Sequence, residues 1–64
     1  MKNNIKDIRK EAGISQLELS KKIGVSRQTI NAIENNKYNP SLDLAFDLAR
    51  VLQTTVDDLF DATN

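Results

Sequence analysis

Apolar residues recur at spacings of three and four along this chain, and clusters of turn-forming residues separate the runs. Ile5, Ile8 and Ala12 make the first run, which predicts a helix over about residues 4–12, with Asn4 as N-cap, Asp7 as its third-residue partner and Gly13 as the stop. Ser15 and Glu18 form a capping-box pattern ahead of Leu19 and Ile23, so a second helix is expected to end near Ile23. Glu18 and Lys22 add an i,i+4 pair on its outer side. Gly24 can turn the chain with a positive φ, and Ser26 can cap a third helix whose inward positions are Ile30 and Ile33. The stretch from Asn35 to Pro40 reads NNKYNP and predicts an exposed loop. A fourth helix follows Ser41 with Leu42, Ala45, Leu48, Ala49 and Leu52 facing inward, and a fifth follows the Thr55 and Asp58 pair with Leu59 and Phe60. Residues 62–64 are expected to fray, and Phe46 is expected to close the bundle against the first helix. No segment alternates with period two, so the expected fold is all-α, a compact five-helix bundle.

A chain of 64 residues has room for one domain, here residues 1–64. It contains no cysteine, so the bundle must be held by packing without disulfides. The opening residues lack the apolar run of a signal sequence, and no segment approaches the roughly 20 apolar residues of a membrane span. A cytoplasmic protein is expected, with no membrane partner. Histidine is absent as well, no glycine-rich phosphate loop is present, and no spacing of acids suggests a metal or hydrolytic centre. The adjacent Asp57 and Asp58 suit the start of a helix without a cation. No enzyme, no cofactor and no metal is therefore expected.

The charge balance first argues against a nucleic-acid binder, because nine basic residues meet nine acidic ones. Their distribution reverses that weight. Through Lys37 there are eight basic and four acidic residues, whereas after it Arg50 stands alone against five aspartates. A neutral chain polarised in this way can turn one basic surface toward a polyanion.

The third helix gives that surface its chemistry. On a helical wheel that starts at Ser26, Ile30 and Ile33 fall together on one side, while Arg27, Gln28, Asn31 and Asn35 gather in a single arc on the other. The polar set therefore faces away from the core. Arginine can bridge guanine acceptors or hold phosphate, and glutamine or asparagine offers the donor and acceptor pair that matches adenine. Thr29 can touch phosphate or a thymine methyl group. In the loop, Asn36 and Lys37 offer backbone or side-chain donors to phosphate, Tyr38 can cover apolar surface with its hydroxyl outward, and Asn39 can cap the turn or meet the DNA backbone. A polar outer face and a polar turn are equally what any exposed helix and loop require.

The short connection between the second and third helices makes the pair resemble a helix-turn-helix with its core over residues 16–35. The run SQLELSKKIGVSRQTINAIENNKYNPSL resembles the DNA-binding domain of lambda-repressor and Cro-type bacterial and phage regulators, particularly their small standalone members. Gln16, Leu19, Gly24, Val25, Ser26, Ile30, Ile33 and Glu34 carry the likeness, which extends over about residues 4–60. The resemblance implies a lambda-repressor-like fold and a sequence-specific, double-stranded DNA-binding regulator. It assigns Gln16 to phosphate, Arg27, Gln28 and Asn31 to base edges or adjacent phosphates, and Glu34 to a structural ion pair with Arg9. Ser20 departs from the alanine common at that place, and its hydroxyl needs an acceptor if buried.

Helix four carries more apolar surface than one small core obviously needs. Leu44, Leu48 and Val51 lie at i, i+4 and i+7, and with Val56, Leu59 or Phe60 they are candidates for a two-fold contact between copies. Packing of the fourth helix on the fifth would use the same residues. Three readings fit the sequence: a homodimeric repressor on a palindromic operator, a DNA-binding antitoxin with a different protein partner, and an interaction module without DNA readout.

Overall fold

The computed structural model describes residues 2–61. Among these residues five helices follow one another: α1 over Ile5–Glu11, α2 over Gln16–Ile23, α3 over Arg27–Glu34, α4 over Leu42–Val51 and α5 over Val56–Leu59. Each helix sends at least one side chain into a single core. Ile5, Leu19, Ile30, Ile33, Leu48 and Leu59 are almost completely inaccessible, and Ala45 and Ala49 of α4 are buried too, as is Leu52 at its C-terminal cap. No helix among the described residues is long and apolar enough to cross a membrane.

Four of the helices begin as the capping pattern predicts. Ser15, Ser26, Ser41 and Thr55 each accept a hydrogen bond from the backbone N–H three residues on, which satisfies a donor that the first turn leaves without an intrahelical partner. Ser15 and Glu18 complete the reciprocal box. Between α2 and α3, Gly24 takes φ +87°, and its N–H and that of Val25 both return to the Ser20 carbonyl at 2.8 and 3.1 Å. That compact stop leaves three residues to reorient the chain, so α3 is projected from a fixed support. Ser20 itself is buried, and its hydroxyl donates to the Leu17 carbonyl at 2.7 Å.

The ends of the bundle differ from the all-helical expectation. Lys2–Asn3 (β1) and Phe60–Asp61 (β2) form a two-stranded antiparallel ladder, with Lys2 opposite Asp61 and Asn3 opposite Phe60. The Asn4 N–H continues the pairing to the Leu59 carbonyl at 2.7 Å. Asn4 precedes α1 but makes no side-chain cap to it. Its amide donates instead to the Asp58 carbonyl, while Asn3 Oδ1 accepts the Ile5 N–H. Residues 62–64, expected to fray, lie outside the described residues.

Two apolar side chains of α4 also depart from expectation. Leu42 is 68% exposed and Phe46 is 52% exposed, so neither fills the core nor closes the bundle against α1. Leu42 is the first residue of α4, and side chains on a helix lean toward its N-terminus, so Leu42 overhangs the end of the packed face. Leu42 with Pro40, Ala45, Val56 and Phe60 lines an apolar groove of about 300 Å³. The expected contact surface between copies is altered accordingly. Val56 and Phe60 border the groove, Leu44 and Val51 are half-buried against the core, and Leu59 is fully buried and unavailable to any partner.

Candidate nucleic-acid interface

Helix α3 buries Ile30 and Ile33 against α2 and the rest of the core, which leaves Arg27, Gln28 and Asn31 exposed on the opposite side. These three and Gln16, the first residue of α2, line an open cleft of about 300 Å³. Arg9, Ser15, Gln16, Leu17 and Arg27 line a second depression, so Gln16 and Arg27 border both. The start of α2 adds the electropositive end of a helix to this rim, next to a guanidinium. The cleft thus joins an anion-favouring edge to side chains able to address base edges.

Beneath the rim lies a buried ion pair. Arg9 Nε donates to Glu34 Oε2 at 2.7 Å, Arg9 Nη2 reaches Oε1 at 3.3 Å, and Arg9 Nη1 donates to the Ile14 carbonyl at 2.9 Å. Glu34 Oε1 also receives Gln16 Nε2 at 3.0 Å. One carboxylate at the end of α3 therefore holds α1 and the first residue of α2 together. Gln16 retains its carbonyl oxygen and its second amide hydrogen for a ligand. Among the described residues, no buried side-chain nitrogen or oxygen lacks a partner.

The other candidates are placed unevenly. Thr29 is half-buried, and its hydroxyl shares a 2.9 Å hydrogen bond with Ser26 Oγ in the cap of α3. Asn31 Oδ1 accepts from Asn35 at 3.2 Å, leaving the Asn31 amide nitrogen free to donate outward. Asn36, Lys37, Tyr38 and Asn39 are all exposed in the loop that follows. Their backbone role is narrower than expected: the Asn36 N–H returns to Ile33 O at 3.1 Å and the Lys37 N–H to Ala32 O at 2.9 Å. Those two donors terminate α3, so any phosphate contact from Asn36 or Lys37 must come from the side chain. Sequence reasoning missed Asn3, which reaches this loop from the other end of the chain, and no local signal marks it.

Two packed helices joined by a three-residue turn, with the second presenting an Arg, Gln and Asn surface, define a helix-turn-helix DNA-binding protein. The profile of the helix-turn-helix family matches residues 5–59, and the chain belongs to that family, in its Cro and CI type. It is 50% identical over 60 residues to an uncharacterised HTH-type transcriptional regulator of Methanocaldococcus jannaschii, covering 94% of this chain and 91% of that one. It is 39% identical over 62 residues to the antitoxin HipB of Escherichia coli, covering 97% of this chain and 69% of that one. Among solved structures, the Bacillus subtilis biofilm regulator SinR in complex with DNA superposes with a TM-score of 0.81 at 40% identity, over 89% of this chain and 92% of that chain. The protein is a DNA-binding transcriptional regulator on a non-enzymatic fold.

Proposed function

We propose that this protein is a sequence-specific repressor that binds a palindromic operator as a homodimer. The carrying observation is the cleft where Arg27, Gln28 and Asn31 stand around Gln16, because it combines base-reading side chains with a phosphate-holding edge. Lys37, Tyr38 and Asn39 in the exposed loop supply backbone contacts beside it. An eight-residue recognition helix addresses only a few base pairs, so operator-length specificity calls for two copies.

The groove lined by Pro40, Leu42, Ala45, Val56 and Phe60 is assigned to the second copy. It includes the overhanging Leu42, and the exposed Phe46 stands one turn further along the same helix, so α4 offers both a wall of the recess and apolar projections that could fill its counterpart. A two-fold contact requires that kind of self-complementary surface.

Selection of bound duplexes from a random library, with the mass of the resulting complex measured, tests this function. Inverted repeats with half-site centres about 34–36 Å apart and two chains per duplex are expected. Single half-sites bound by one chain would overturn the homodimer. The likeness to HipB supports a second reading, in which the same groove receives a heterologous protein. Under that reading the isolated chain stays monomeric and a distinct partner co-purifies in fixed stoichiometry.

A further inference from the structure

Asn3 joins three parts of the molecule that are far apart in sequence. Its Oδ1 accepts the Ile5 N–H at 3.1 Å, and its Nδ2 donates to Ile33 O at 2.8 Å and to Asn36 Oδ1 at 3.0 Å. The residue is itself held by the ladder, where it stands opposite Phe60. Ile33 O belongs to the last turn of α3, whose carbonyls have no intrahelical donors. Asn36 has φ +60°, the left-handed conformation in which the chain leaves α3 for the loop. One amide therefore fixes both the end of the recognition helix and the residue that aims Lys37, Tyr38 and Asn39.

We propose that Asn3 is a positioning residue of the DNA interface. Resting on the DNA-binding function proposed above, this assigns to β1 the task of holding the post-α3 loop at a set place relative to Arg27 and Gln28. The local geometry explains the choice of residue. An amide at this position has one oxygen to cap α1 and two N–H groups for two different acceptors, a combination that neither aspartate nor serine supplies. Without the two donors, Asn36 is left with its backbone bond alone, and the loop must be ordered at the moment of binding.

Asn3→Ser tests the proposal, because a hydroxyl still serves as a local acceptor for the Ile5 N–H but is too short to reach Ile33 O or Asn36. Hydrogen exchange and duplex affinity are measured on the full chain at a temperature where both proteins are folded, alone and combined with Lys37→Ala. The expected results are faster exchange of the Asn36 and Lys37 amides and an affinity loss of about 3- to 10-fold, much of it absent in the Lys37→Ala background. Unchanged exchange at both amides, or fully additive affinity losses, would overturn the proposal. Should Asn3→Ser fail to fold, Asn36→Gly removes the acceptor from the exposed side while tolerating the positive φ, and must give the same non-additivity with Lys37→Ala. Failure of the unaltered chain to bind any duplex would strike the DNA function itself, whatever the exchange result, and the two failures are thereby distinguished.

Discussion

Arg9 and Glu34 meet beneath the cleft that Gln16 and Arg27 line, with side chains only 9% and 3% exposed, and Gln16 donates to the same carboxylate from the start of α2. The recognition helix is thus fastened at its far end by a charge that water barely reaches. Three hydrogen bonds from Arg9 and Gln16 to Glu34, and a fourth from Arg9 to Ile14 O, compensate the cost of burying the pair.

Removing one member of this pair should be far worse than removing an exposed charge. Glu34→Ala leaves the Arg9 guanidinium buried without its counter-ion, an expected loss of about 3–5 kcal/mol in unfolding free energy. Arg50 and Asp47 also pair, but with side chains 72% and 42% exposed, and Arg50→Ala should stay within about 0.5 kcal/mol. Urea titrations of the two variants check this contrast. Equal midpoints would show that the Arg9 and Glu34 pair has little structural weight.

The cap of α2 has a smaller and local weight. Ser15→Ala removes the acceptor for the Glu18 N–H and breaks the reciprocal box, which should cost about 1 kcal/mol. Ser15→Asp preserves a side-chain acceptor and places negative charge at the start of α2, so it should recover most of that loss. The same negative charge borders the depression that contains Gln16 and Arg27, and it should weaken duplex binding. Thermal unfolding and duplex titration should therefore rank the two variants in opposite orders.

The helices were legible because their determinants are local. A capping side chain three residues before its N–H partner, and apolar residues three and four apart, are written in consecutive positions, as at Ser15, Ser26, Ser41 and Thr55. The outward placement of Arg27, Gln28 and Asn31 followed from the same arithmetic. What could not be read depends on residues distant in the chain. The β1 and β2 ladder has two residues per strand, too few for any alternation, and nothing near Asn3 in sequence marks it, because its partners Ile33 and Asn36 are brought to it only by folding. Leu42 satisfied the spacing of the α4 core face, yet spacing says nothing about where the neighbouring helices end. The Gln16 bond to Glu34 was hidden for the related reason that exposed and buried amides share one composition.

The residues proposed to face bases and those proposed to face phosphates should separate experimentally. Arg27→Ala is expected to lower the preference for the selected operator over random duplex by about 1–3 kcal/mol, with little change in unfolding midpoint because Arg27 is exposed. Lys37→Ala should weaken both duplexes alike and reduce the slope of log affinity against log salt by about 1. Competition titrations across a salt series distinguish the two patterns. An unchanged specificity ratio in Arg27→Ala would remove that residue from base readout.

Leu42 and Leu48 lie on one helix with opposite exposure, Leu42 in the groove beside α4 and Leu48 in the core. Leu48 is completely buried, so Leu48→Ala should destabilise the fold by about 2–5 kcal/mol through lost burial and the cavity left behind. Leu42 contacts solvent in the isolated chain, and Leu42→Asp should leave that chain folded while placing a charge in the proposed two-fold contact. Buried without a counter-ion in an assembly, the new carboxylate would be strongly unfavourable. Sedimentation across micromolar concentrations should show the unaltered chain associating and Leu42→Asp remaining monomeric, with operator affinity falling along with association. If Leu42→Asp sediments as the unaltered chain does, the contact between copies lies elsewhere on the molecule.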